Sequence, residues 1–182
     1  EAFKAKMYKA IHCSSFSPIY YRLVNSVSNL LPYHVLCQKR PTVRIQPPGV
    51  SSIIFHIDEW AGHDKNSLNA WFPLVDIHES ASLGVVRQTL TESFLASFYS
   101  GKISASELER LCRDSAVFRS MKAGQVLLFG NHVLHGTTVN RSERVRFSLD
   151  FRLTQKSTSA NLHQRYIEPS ELLSGHLPSE HC

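Results

Sequence analysis

"GQVLLFGNHVLHGTTVNRSERVRFSLDFRL", residues 124–153, decides the fold class. Three runs rich in β-branched, leucine and aromatic residues, GQVLLF, HVLHGTTV and RVRFSLDFRL, follow one another with turn residues between them. The same texture holds upstream from Pro41. TVRIQ (42–46), VSSIIFHID (50–58) and LNAWFPLVDI (68–77) are short and are separated by Pro-Pro-Gly or by the polar loop EWAGHDKNS. Strands do not alternate with helices, so the pattern predicts an antiparallel double sheet of jelly-roll type with helices packed outside.

The flanking helices carry their own signals. In IYYRLVNSVSNLL (19–31), Tyr20, Leu23, Val27 and Leu30/Leu31 share one face, and Pro32 stops the helix. Around 89–119, Thr89-x-x-Glu92 and Ser104-x-x-Glu107 fit the capping-box pattern, each opening a short amphipathic run. The tail after Lys156 is polar, with a short helix expected at PSELL. The expected organisation is a single domain over 1–182. It comprises a helical region at 1–40, an all-β core at 41–154 with a helical insertion at about 89–120, and a C-terminal tail at 155–182, an α+β chain in outline.

At 182 residues and 42% hydrophobic content the chain can bury a core. No stretch approaches the ~20 apolar residues that cross a bilayer, and the start lacks the charged-then-apolar pattern of a secretory leader. Cys13, Cys37, Cys112 and Cys182 lie far apart without a C-x-x-C pair, which reads as reduced thiols and a cytoplasmic location. A net charge of +5 favours anionic small molecules. The basic residues are scattered without an aromatic–basic RNA-binding motif, so neither nucleic acid nor a membrane is an expected partner.

Within FHIDEW (55–60), His56 and Asp58 stand two apart, so on a strand they aim to the same face while Ile57 points away. Two histidines and one carboxylate form a facial triad suited to a divalent first-row metal. His132 and His135 stand three apart on a later strand, so only one can point inward. Gly136 and a polar segment follow His135, which makes it the third ligand and leaves His132 outward. His63, His78 and His163 sit in expected loops. In RVRFSLDFR, Arg146 and Ser148 share a face and suit a carboxylate. Arg144 and Arg152 have the same parity, so strand parity alone does not choose among the three.

Taken together, HIDEWAGH (56–63), LNAWFPL (68–74), ASLGVV (81–86) and the stretch 124–152 resemble the Fe(II)/2-oxoglutarate dioxygenases of the phytanoyl-CoA dioxygenase-like superfamily, and most of all its StrG-like group of streptomycin biosynthesis. The resemblance implies a double-stranded β-helix (a cupin-like jelly roll) and iron held by His56, Asp58 and His135. It further implies an arginine eleven positions beyond the distal histidine on the 2-oxoglutarate C5 carboxylate. That position is Arg146, with Ser148 completing the arrangement. The implied cofactors are Fe(II), 2-oxoglutarate and O₂. The implied activity is hydroxylation of a small polar metabolite or natural-product intermediate, with release of succinate and CO₂. Asp58 favours hydroxylation over halogenation, because halogenases on this scaffold lack the carboxylate.

Asn69 and Trp71 share a face and are expected to line the pocket, with Asn69 bonding 2-oxoglutarate. Gln46 is a further co-substrate candidate, and His63 and Asn131 are candidates for substrate contact. Ala81 stands where relatives carry a polar residue, and the proline-glycine-serine-histidine turn is absent after Val86, so acyl-CoA does not carry over as substrate. The competing class is a non-catalytic β-helix module that binds a small ligand or a structural metal.

Overall fold

Tyr20, Val24 and Val27, spaced i, i+4, i+7, set the first layer by turning one apolar stripe toward a sheet. They belong to α2 (Ser17–Ser28), which follows α1 (Ala2–Ile11) in the computed structural model; the structure describes residues 2–11, 13–156 and 165–173. The stripe runs through Val24 rather than Leu23, and the helix ends before Pro32, leaving Leu30 67% exposed. Three-residue turns from Leu30 to the Val27 carbonyl and from Leu31 to that of Ser28 tighten and close the helix.

The remaining elements are β1 (Val35–Gln38), β2 (Thr42–Gln46), β3 (Leu68–Pro73), β4 (Gly84–Val85), α3 (Gln88–Tyr99), α4 (Ala105–Ser115), β5 (Leu127–Gly130), β6 (His135–Gly136), β7 (Arg146–Gln155) and β8 (Tyr166–Ile167). Ten-residue β7 is the axis of the larger sheet, whose order is β5-β3-β7-β1-β8 with β2 also on β7. All pairings are antiparallel. Along one edge β7 meets β2 through Gln46↔Arg146 to Thr42↔Asp150 and then β1; along the other it meets β3 from Pro73↔Ser148 to Leu68↔Leu153.

The second layer is built on β4 and β6, with Val85 opposite His135. Isolated bridges widen it, His56↔His135 on one side and Val85↔Val117 on the other. Two antiparallel layers with helices outside make the expected jelly roll.

Strand alternation in β7 places Leu149, Phe151 and Leu153 under α2, where Tyr20 meets Phe151 edge-on at 5.4 Å. The opposite, polar face is not in water. Arg146, Ser148, Asp150, Arg152 and Thr154 are all buried against the second layer. α3 and α4 cover the outside of that layer over Phe55, Ile57, Val86 and Leu134.

Local structure departs from the sequence reading at four places. VSSIIFHID forms no continuous strand, because side chains take its amides: Thr137 Oγ1 accepts from Ser52 and Ile53 at 3.0 Å each, and Glu109 accepts from Phe55 at 2.8 Å. α3 is capped by the backbone of Arg87 with no side-chain bond, so Thr89 opens no capping box; Ser104 does cap α4, accepting from the Glu107 amide at 3.2 Å. The tail contributes β8 and a 3-10 turn at Pro169–Leu173, whose Leu172 packs into the α2 core. Cys37 and Cys112 are buried free thiols, but Cys13 is disulfide-bonded, against the expectation of four reduced thiols. His163 lies outside the described residues. No helix among the described residues is long and apolar enough to cross a membrane.

Candidate metal centre

His56 and His135 exchange both backbone hydrogen bonds, each at 3.0 Å, so they are direct cross-strand partners with side chains on one face. Gly136 permits this approach, since a Cβ there would lie 2.8 Å from Phe55 Cα. The extended segment ends at Ile57. Asp58 then opens a 3-10 turn (Asp58–Ala61), closed by Gly62 at φ +79°, and its amide donates to the Asn131 carbonyl at 2.9 Å. His56 and Asp58 therefore converge through a strand followed by a turn, not through simple strand parity.

The Nε2 atoms of His56 and His135 lie 3.8 and 3.9 Å from Asp58 Oδ1, and all three ligand atoms fall within 4.8 Å of one another. Each imidazole faces a backbone carbonyl through Nδ1, His56 to Ile54 and His135 to Val133, both at 2.9 Å. A carbonyl only accepts, so Nδ1 holds the proton and the Nε2 lone pair points to the centre. Burial keeps both rings neutral, pushing His135 down to about 4 with His56 adding to the effect, and lowering His56 as well. Burial alone would raise Asp58. The Arg152 hydrogen bonds and charge outweigh it and hold the carboxyl at about 2. Two neutral nitrogen donors and one ionised carboxylate suit a divalent first-row ion.

Asp58 is fixed from behind. Arg152 donates from Nη2 to Oδ1 at 2.8 Å and from Nε to Oδ2 at 3.1 Å, and Asn69 donates to Oδ2 at 2.9 Å. Arg152 Nη1 reaches Asp150 at 2.8 Å, whose other oxygen accepts from Arg44 at 2.9 Å. Burial would lower the Arg152 pKa, but Asp150 and Asp58 raise it.

Arg146 stands in contrast. It is 1% exposed, and among the described residues its guanidinium donates only to the Ala81 carbonyl (3.3 Å) and Ser52 Oγ (3.0 Å). Among the described residues its Nε has no partner, nor have Ser148 Oγ and Trp71 Nε1, and Arg146 Cζ sits 5.7 Å from the Trp71 ring centre. Burial lowers its pKa to about 10, with the Arg44 charge adding to the effect. The Asp150 charge opposes both effects without bonding to Arg146, and a buried cation among orphaned donors is costly unless an anion joins it. A ligand carboxylate fits that need. The void bounded by His56, His135, Arg44, Trp71 and Leu83 is about 10 Å³, room for about one water.

The other sequence candidates divide. Asn69 spends its amide on Asp58 while its Oδ1 stays unpartnered. Gln46 donates to the Val50 and Thr138 carbonyls, both at 2.7 Å, leaving only Oε1 free. His63 meets Tyr166 Oη at 3.2 Å, and Asn131 donates to the Asp64 carbonyl at 3.1 Å; both brace the loop that carries Asp58 and lie outside the ligand cluster. His132 turns to the Lys65 carbonyl at 3.2 Å, away from the centre. Sequence reasoning weighed Arg152 only as an alternative anchor for a carboxylate and assigned no role to Asp150 or Arg44. The signal was present in RFSLDFR, where an aspartate shares the face of two arginines.

The phytanoyl-CoA dioxygenase family profile matches residues 9–148. Among solved structures, apo ThoJ, a non-haem monooxygenase, superposes with a TM-score of 0.54 at 18% identity, over 75% of this chain and 53% of that one. SnoN, a non-haem α-ketoglutarate-dependent epimerase from nogalamycin biosynthesis, gives 0.52 at 14% identity over 82% and 56%. EctD from S. alaskensis, solved with 2-oxoglutarate and 5-hydroxyectoine, gives 0.50 at 17% identity over 69% and 46%. These likenesses are of fold, and the chain spans about half the length of these structures. No curated protein sequence matches it.

Proposed function

Because the chain belongs to the phytanoyl-CoA dioxygenase family, we propose that it is a non-haem Fe(II)/2-oxoglutarate-dependent oxygenase that hydroxylates a small molecule bearing a polar group, with release of succinate and CO₂. His56, Asp58 and His135 hold the iron, and Arg146 with Ser148 and Trp71 takes the 2-oxoglutarate C5 carboxylate. When bound, iron and 2-oxoglutarate supply the oxidising power drawn from O₂. The chain's own residues do the rest. Ile54 and Val133 fix the tautomers, Arg152 and Asn69 orient Asp58, and Trp71 and Leu83 wall the site from water. We place the chain near the StrG-like group and treat 41–154 as the catalytic β-helix.

The observation that carries this reading is Arg146, a buried guanidinium that bonds no carboxylate among the described residues, on the same inner face as the His-Asp-His cluster. A structural metal site has no use for it. Anaerobic addition of Fe(II) and 2-oxoglutarate should give the visible charge-transfer band of the chelate, and O₂ should then release succinate. Absence of both returns the chain to the non-catalytic binding module.

A further inference from the structure

The row of side chains that begins with the metal ligands does not stop at them. His56, His135, Val85 and Val117 are successive cross-strand partners, so all four share the inner face of the second layer. With strands about 4.8 Å apart, Val85 lies about 5 Å from His135 along the row and Val117 about 10 Å. There the structure holds a cavity of about 280 Å³, floored by Val85 and Val117 and bounded by Leu83, Leu127, Arg87 and Arg119. Leu83 also bounds the void at the histidines, so the two spaces share a wall residue. The facing wall belongs to the large sheet, where Leu127 shares its strand face with Phe129, whose ring lies 4.7 Å from that of His135.

Arg87 and Arg119 are each two positions beyond a floor valine, and both are exposed without a hydrogen-bond or ion-pair partner among the described residues. Arg87 also stands at the N-cap of α3, where the helix dipole disfavours a cation. An anion seated beside it relieves that conflict. The size is at the small end for ligand pockets, which start at roughly 300 Å³.

We propose that this cavity is the subsite for the organic substrate, and that the substrate is an anion with a compact apolar body: the body rests on Val85, Val117, Leu83 and Leu127 beside His135, and Arg87 and Arg119 hold its carboxylate or phosphate. This rests on the oxygenase reading for the site as a whole and narrows its substrate class.

Equilibrium dialysis without O₂, on the full chain with Fe(II) and saturating 2-oxoglutarate, tests it with four probes: 4-phenylbutyrate, phenyl phosphate, 4-phenylbutyramide and gluconate. At least one of the two apolar-bodied anions should bind, with the neutral amide and the polar acid each about tenfold weaker or more. The double variant Arg87→Gln/Arg119→Gln should lose about tenfold for the bound anion while keeping the 2-oxoglutarate chelate band. Both side chains are exposed, so the variant leaves the core intact. Equal binding of the anion and the amide, equal binding of gluconate, no binding of either anion, or an unaffected double variant each overturns the assignment. Loss of the chelate band in the unmodified chain instead overturns the oxygenase reading, and the dialysis, repeated on protein alone, still reads the subsite.

Discussion

Replacing Arg152 by Met removes the cation that holds Asp58, and the structure sets the size of the effect. Three charged contacts go, two to Asp58 (2.8 and 3.1 Å) and one to Asp150 (2.8 Å). Asp150 keeps Arg44 at 2.9 Å, so the uncompensated charge falls on Asp58, which is 1% exposed. Stripping one partner from a buried ion pair costs about 3–5 kcal/mol. For a chain of this size that is a fall of about 10 °C in the unfolding midpoint of the metal-free protein. Asp58→Asn removes the charge and leaves Arg152 its bond to Asp150, so it should cost less, about 1–3 kcal/mol. Once Asp58 is neutral, losing Arg152 matters less, and a double-mutant cycle should return a coupling of about 2–4 kcal/mol. A divalent ion supplies the missing positive charge, so Zn(II) or Ni(II) should restore much of the stability lost by Arg152→Met, by mass action on the folded state. Urea denaturation of the four metal-free proteins, repeated with metal for the Arg152 variant, measures every term. A coupling below about 0.5 kcal/mol, the usual additivity error, or no recovery with metal, refutes the claim that Arg152 holds this carboxylate.

Gly136→Ala should push β6 off Phe55, costing about 1–3 kcal/mol as overpacking does, and should weaken Ni(II) binding by calorimetry, because the added Cβ meets Phe55 Cα at 2.8 Å. Metal-free stability should rise with pH between about 4 and 6.5. His135 titrates near 4 when folded against an ordinary 6.5, so the unfolded chain binds more protons there. The contribution is complete above 6.5 and about 3 kcal/mol smaller below 4; Asp58, held at about 2 against an ordinary 3.8, withdraws stability further as pH falls through that lower window. Chemical denaturation across pH 3–8 checks the sign, and a flat profile contradicts it. The chain has two tryptophans, so Trp60→Phe leaves Trp71 as sole reporter, 5.7 Å from the Arg146 guanidinium. Its fluorescence should respond to 2-oxoglutarate with Fe(II) under anaerobic conditions, and Arg146→Ala should abolish the response while metal binding persists.

The ligand triad was legible because strand chemistry is local. A histidine before a polar loop and another followed by glycine can be placed on a face from period two alone, whereas Asp58 joins them from the first position of a 3-10 turn, which strand parity does not describe. The role of each arginine was not legible locally. Arg146 and Arg152 have the same parity on β7, and what separates them is where the neighbouring chains stop. Arg152 meets the turn that starts at Asp58, whereas Arg146 meets the backbone of Ala81 and the hydroxyl of Ser52. Register between distant segments decides that, and only the resemblance supplied it. The broken strand at 51–57 has a similar cause. Its residues have strand propensity, but Thr137 and Glu109, 54 to 85 positions away, capture its amides. That the polar stripe of β7 is covered was not legible either, because alternation reports which residues share a side and says nothing about what covers it.

That covered stripe holds the carboxylate of the candidate site in place. A β-sheet normally turns its polar residues to water; here Arg44, Asp150, Arg152 and Asp58 alternate in sign along a continuous chain of contacts from 2.8 to 3.1 Å, so their charges cancel within the protein. The alternation fixes the carboxylate ligand in space and keeps it ionised without a metal. It ends before Arg146, for which no carboxylate is within bonding distance among the described residues. Stability alone would favour a neutral residue at that position, since an isolated buried cation costs several kcal/mol where an apolar side chain of similar volume costs none. The inner face thus contains one set of charges paired within the fold and one cation that bonds no carboxylate among the described residues. Arg146→Met should therefore leave the metal-free protein as stable as before or more so, while 2-oxoglutarate binding is lost, whereas Arg152→Met should destabilise it. Similar destabilisation by both variants would mean that Arg146 already has its counter-charge within the fold.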